Sequence, residues 1–210
     1  MRKIELLAAL AMCIAAVSCG NSKSDKVEND VAGQDSLPVA DTVVVEAEEV
    51  APEPVFITPD LAFMEVHGHV KSVEFPGGRK AKFDENGKLV DYATEYSGPN
   101  GVQIGRDEDG YIVSTYDGPG GSAMFGYDKE NVRLNLTAAG DGAYYSECHI
   151  EYDEEGNMIR YNFVDEDMAE ETRDEWSMDV SVVSKDEYGN WIELKVDDQT
   201  VKRKIEYYSK

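Results

Sequence analysis

Six aspartates stand out for their repeated setting: Asp84, Asp107, Asp109, Asp128, Asp153 and Asp186 each lie in a tight polar stretch rich in Glu, Asn and Gly. Carboxylates gathered with turn carbonyls can supply the six to eight oxygens that a calcium ion takes. These residues are therefore the candidate cation site, with calcium as the only cofactor the sequence suggests. None of the stretches has the EF-hand ligand spacing, and a turn made of Asp, Asn and Gly is equally explained by its backbone conformation.

Other residue types offer less. His67 and His69 stand two apart in "VHGHVKS", while His149 alternates with Glu147 and Glu151. Structural zinc asks for four ligands, usually in a tighter motif, so these histidines read as solvent-facing. Cys148 alternates with Ile150 and Tyr152 in "CHIEY" and reads as a small buried hydrophobe. No serine elbow or P-loop occurs, and "GPGG" at 118–121 lacks both the helix and the lysine of a phosphate loop. An enzyme is not expected. The aromatic residues are more suggestive, since an aromatic ring on an open sheet face can stack a sugar or grip a peptide. Trp191 falls out of phase with Ile192, Leu194 and Val196, so it is expected on the surface, with Tyr111 and Tyr116 beside it as ligand-binding candidates.

The elements that must hold these residues are strands. Aligned on the aspartate, the turns are DENG at 84–87, DEDG at 107–110, DKEN at 128–131, DEEG at 153–156 and DEYG at 186–189, spaced by 23, 21, 25 and 33 residues. Asp opens a type I turn and Gly closes it with a left-handed backbone, which reverses a strand. Asn131 takes the glycine place in the third copy. Three residues before each Asp stand Ala81, Ile104, Phe125, Ile150 and Val183. Three after each Gly or Asn stand Val90, Val113, Leu134, Ile159 and Ile192, with Tyr92, Thr115, Leu136, Tyr161 and Leu194 two further on. Period-two alternation predicts that both sets face one core. The intervening "SGPNG", "DGPGGS" and "AAGDG" read as loops, placing the Asp turns at one sheet end and the Gly/Pro loops at the other. The charged stretch "DEDMAEETRDEW" at 165–176 is read as a helical turn or a solvated loop. Lys202, Arg203 and Lys204 read as charged edge residues that discourage strand pairing.

The expected fold is an all-β antiparallel meander of repeated hairpins, ten to twelve strands in one curved sheet or a partly rolled barrel. It occupies residues 58–210. Before it, residues 19–57 carry nine acidic residues against Lys23 and Lys26 and only one aromatic, Phe56, and read as an acidic disordered tether. Residues 1–18 read as a signal helix: Arg2 and Lys3, then an apolar run over 4–17 too short for a confident membrane span. The residues Ala16, Val17, Ser18 and Cys19 resemble the bacterial lipobox, which implies cleavage before Cys19 and its lipidation. Gly20 after it favours the outer over the inner membrane, and two or more acyl chains make such an anchor stable. Net charge is −23, and without residues 1–18 it is −24, with 18 Lys and Arg against 42 Asp and Glu. Such a field repels nucleic acid.

Tyr127-Asp128 and Tyr152-Asp153, followed by Asn131 or by Gly156-Asn157, resemble the YD repeats of the RHS family. The ending "KDEYGNWIELKV…VKRKIEYY" is similar to the ends of small envelope lipoproteins of Gram-negative gut bacteria built from such repeats. The resemblance spans about residues 66–208, with Phe83, Arg106 and Lys185 in the tyrosine place. It implies a sheet of β-hairpins and leaves the function open. The sequence thus predicts a membrane-anchored envelope lipoprotein whose β-domain is a non-catalytic binding module for an envelope protein or a glycan. The other class it allows is a structural or assembly accessory protein, calcium-stabilised if the acidic turns bind the ion.

Overall fold

The structure is a computed structural model describing residues 55–97, 100–118, 121–140 and 143–209. The signal segment, Cys19 and nearly all of the tether lie outside the described residues. Phe56 already packs on the core, so the folded part begins slightly earlier than its composition suggests.

The described residues form thirteen antiparallel strands and one short helix. A four-stranded sheet holds β1 (Val70–Glu74), β2 (Lys80–Phe83), β3 (Leu89–Ala93) and the C-terminal β13 (Lys204–Tyr207), in the order β13-β1-β2-β3. A nine-stranded meander runs β4 (Gln103–Arg106), β5 (Ile112–Tyr116), β6 (Ser122–Asp128), β7 (Arg133–Gly140), β8 (Tyr144–Tyr152), β9 (Met158–Asp167), β10 (Thr172–Lys185), β11 (Trp191–Val196) and β12 (Gln199–Lys202). The all-β antiparallel meander expected from the repeats is present, arranged not as one curved sheet or a partly rolled barrel but as two sheets, neither of them closed. Only Arg203 separates β12 from β13, so the chain turns from one sheet to the other at a one-residue corner. The stretch 165–176 is neither helix nor free loop: it ends β9, turns over 168–171 and opens β10.

The short helix α1 (Pro59–Phe63) packs on β5 and β7 and reaches the edge strands β3 and β4 through one side chain. Thr58 caps it by accepting from the Leu61 amide, and Pro59 pre-sets the first turn, a start signal legible in "TPDLAF". Asp60, only 5% exposed, joins the two edges. Its Oδ2 accepts from the Leu89 amide of β3 (2.7 Å) and from the Arg106 guanidinium of β4 (3.0 Å), and Oδ1 takes a second nitrogen of Arg106. Phe63 packs edge-on against Tyr92 of β3 and Phe125 of β6, placing the core between the sheets.

Four Asp turns close at one end of the meander, joining β4 to β5, β6 to β7, β8 to β9 and β10 to β11, while β5 passes to β6 and β7 to β8 at the other end. The first turn, at 84–87, joins β2 to β3 in the smaller sheet. The glycines of four turns have φ between 72° and 88°. In the third copy the left-handed residue is Val132 (φ 49°), not Asn131, because that turn is one residue longer.

After every turn the ladder skips a residue. Pairing jumps from Lys82↔Asp91 to Phe83↔Leu89, from Gly105↔Ser114 to Arg106↔Ile112, and from Glu151↔Arg160 to Tyr152↔Met158. The same bulge follows the third and fifth turns. The skipped residue inverts the alternation. Leu89, Ile112, Met158 and Trp191 are consequently buried where Val90, Val113, Ile159 and Ile192 were expected, and Val90 and Ile159 are exposed. Beyond the bulge the expected phase returns, with Tyr92, Thr115, Tyr161 and Leu194 buried, although Leu136 is only half-buried. On the first arms Ala81, Phe125 and Ile150 are buried as expected, whereas Ile104 and Val183 are exposed. Cys148 is buried.

Candidate functional site

Each turn aspartate is engaged by its own backbone. Oδ1 of Asp84, Asp107, Asp153 and Asp186 accepts from the amides two and four residues ahead, at 2.8–3.1 Å. Asp128 accepts instead from Asn131 and Arg133. Lys129 pairs with Asp107 and Asp109 across the neighbouring turn and holds the Asp107 carboxyl below its ordinary value. The Asn131 side chain does the same for Asp128, and that of Asn157 for Asp153. The carboxylates are thus shared out among turns and cations, and among the described residues no group of three or more His, Cys, Asp or Glu is placed to hold a metal ion.

The histidines are separate as well. Gly68 (φ 87°) turns the chain before β1, so His67 and His69 are not on one strand face. His67 sits 2.7 Å from the Tyr188 carbonyl, His69 stacks on Phe56, and His149 meets Glu147 on the surface. Asn190 clamps His67 by accepting from its amide (2.9 Å) and donating to its carbonyl (2.8 Å), tying the fifth turn to the first sheet.

Tyrosines ahead of the turns stitch hairpins together. Tyr127 donates to the Ile112 carbonyl (2.8 Å) and Tyr152 to the Leu134 carbonyl (2.5 Å), in each case reaching the preceding hairpin just past its turn. A Tyr-Asp pair therefore has a division of labour: Asp closes its own hairpin, and Tyr fastens that hairpin to the one before.

Of the three expected ligand-binding aromatics, two are internal. Trp191 is 7% exposed, edge-on to Phe75 and covered by the Arg203 guanidinium 3.6 Å from its ring, because the bulge at Ile192 turns it inward. Tyr111 is 6% exposed against Tyr127 and beneath Lys129. Neither is a surface residue. Tyr116, at 49% exposure, lies on the outward face of the nine-stranded sheet.

That face has two zones. Across β5 to β10 one row reads Ser114, Met124, Ala138, Glu147, Val164, Glu175. The adjacent row reads Tyr116, Ser122, Gly140, Tyr145, Glu166, Arg173. The β5–β7 half is built of small residues, Ser114, Ser122, Gly140 and the buried Ala138, with Met124 (50% exposed) and Tyr116 as diagonal neighbours standing above it. Gly140 keeps it low: a Cβ there would meet the Tyr144 carbonyl at 2.8 Å and the Tyr145 ring at 3.4 Å. The β8–β10 half carries charge. Met124 escaped the search for aromatic residues, although the inward reading of Phe125 already turned its neighbour outward.

Charge is also buried. Arg203 is 5% exposed, not an edge residue, and donates to the carbonyls of Trp191, Met64 and Glu65 at 2.7–2.9 Å. Burial pulls its guanidinium below the ordinary value. Glu65 has a left-handed backbone (φ 53°), and its Oε1 is buried with no hydrogen-bond partner among the described residues. Burial pushes its carboxyl up, against the opposing pull of Arg203 and Arg79. Glu65 and Arg79 border a cavity of about 20 Å³ between the sheets, walled by Phe63, Phe125, Leu134 and Ile150. It has room for one water-sized molecule.

A scan against protein-family models and a search of curated proteins find no match to this chain.

Proposed function

We propose that this chain is a lipid-anchored cell-envelope protein, held through Cys19 at the outer membrane, whose β-domain is a non-catalytic binding module related to the YD repeats. Its contact surface is the outward face of β5–β7. The observation that carries this reading is the pair Tyr116 and Met124, each half exposed and diagonal to one another above a floor of Ser122, Ala138 and Gly140. A low floor of small residues with two projecting, largely apolar side chains offers anchors to a partner without any pocket. The engagement of the turn aspartates by their own backbones and by neighbouring cations is in keeping with a non-catalytic role.

In-cell crosslinking and pull-down of the full chain test this, beside a Cys19→Ala form and a Tyr116→Ser/Met124→Ser form. A partner captured by the native chain and lost with the surface pair supports the module, and loss with Cys19→Ala supports the anchor. A partner retained by the surface double variant removes this face, and an undiminished membrane fraction of Cys19→Ala removes the lipid.

A further inference from the structure

We infer that the partner of this face is a protein surface that is itself cationic, presenting Lys or Arg beside apolar side chains; the inference rests on the reading of β5–β7 as the contact surface. The charged zone adjoins the β5–β7 half without a break, because Glu147 follows Ala138 in one row and Glu166 follows Tyr145 in the other. On the outward side β8–β10 present the five carboxylates of Glu147, Glu151, Glu166, Glu175 and Asp179 against Arg160 and Arg173, with His149 on the same face meeting Glu147. Each arginine is already occupied: Arg173 with Glu166 and Glu175, and Arg160 with Asp179 and Glu151. Three negative charges therefore remain in excess. Tyr145 donates to Glu147 (2.9 Å), which holds one carboxylate directly at the boundary between the zones.

An uncharged glycan could donate hydroxyls to these carboxylates but would leave the excess negative charge of the strip uncompensated. An anionic partner would be repelled by the strip and by the net charge of the whole chain. A partner with apolar groups flanked by cations meets both halves at once. Complementary charge of this kind steers encounter and fixes orientation, and its contribution falls with ionic strength.

The test uses the full chain in a neutral detergent and three labelled 14-residue peptides, alternating Lys-Leu, Lys-Ser and Glu-Leu, read by fluorescence anisotropy. Because a chain this acidic attracts any cation, two triple variants of equal net charge are compared. One is Glu147→Gln/Glu166→Gln/Glu175→Gln on the face, and the other is Glu85→Gln/Glu108→Gln/Glu154→Gln on the turns, where all three side chains are exposed. The Lys-Leu peptide is expected to bind more tightly than the other two, and to lose about tenfold in affinity with the face triple but less than about twofold with the turn triple. Equal losses in the two triples, or Glu-Leu binding as tightly as Lys-Leu, overturns the cationic partner. If Tyr116→Ser/Met124→Ser releases the peptide while the face triple does not, the contact surface survives and its charge preference falls. If neither changes binding, both fall.

Discussion

Glu65 is the residue at which burial and charge compete most openly. Its carboxyl is close enough to Arg203 and Arg79 to feel their attraction, yet desolvation outweighs them and its proton affinity rises. An acid raised on folding binds more protons in the folded than in the unfolded chain between its ordinary value and its raised one. Stability from this residue is therefore fully present in acid and is lost as pH climbs through that window. Glu65→Gln keeps the shape and removes the titration, so it is expected to match the native chain near pH 4 and to exceed it by about 1–2 kcal/mol at pH 8, on the scale of an unpaired buried polar group. Urea unfolding of both chains at the two pH values measures this. A difference that does not change with pH would show that the carboxyl is not under net desolvation. This group was not legible in the sequence, because "MEVHG" looks like any turn and nothing local places beside it Arg79, just before β2, and Arg203, at the corner between β12 and β13.

Hairpins, by contrast, were largely legible, and where they were not the reason is one extra residue. The Asp-to-Gly turns, their common end of the sheet and the arms carrying Ala81, Phe125 and Ile150 follow from turn chemistry and period-two alternation. Alternation counted from the glycine fails at the bulge, which is invisible to a strict period of two. That single slip moved Trp191 from the core to the surface in the reading, and with it the expected binding site. The same reasoning identifies the weakest turn. Val132 holds the left-handed place that glycine fills in the other four copies, and a β-branched residue is poorly suited to that backbone. Val132→Gly is expected to stabilise the domain by about 1 kcal/mol, the strain released exceeding the added freedom of the unfolded chain. A higher thermal midpoint, with an unchanged amide spectrum away from 126–136, would be the result. A lower midpoint would mean that the Val132 side chain contributes more than its backbone costs.

The two-sheet arrangement depends on long-range links that no local pattern announces: Arg203 at the corner and Asp60 at the seam. Neither was legible, since a lone Arg between two lysines and an Asp after a proline have ordinary surface roles in most sequences. At the seam, one carboxylate serves the free edge of β3 and the free edge of β4 together, so its loss leaves the Leu89 amide without its acceptor and Arg106 without its ion pair, holding only the Gly110 carbonyl. Arg106 is about one-third exposed and can find water, which limits the penalty. Asp60→Ala is expected to cost about 2–3 kcal/mol, and Asp60→Asn about half of that because an acceptor for Leu89 remains. The loss should also be local. Hydrogen exchange should quicken first at Leu89 and along β3 to β5, while β8 to β11, paired on both sides, keep their protection. Even acceleration over all thirteen strands would instead make the domain a single cooperative unit with no separable seam. Local opening carries a functional consequence, because β5 holds Tyr116 and leans on β4: Asp60→Asn should weaken binding at the outward face although Asp60 lies on the opposite side of the sheet.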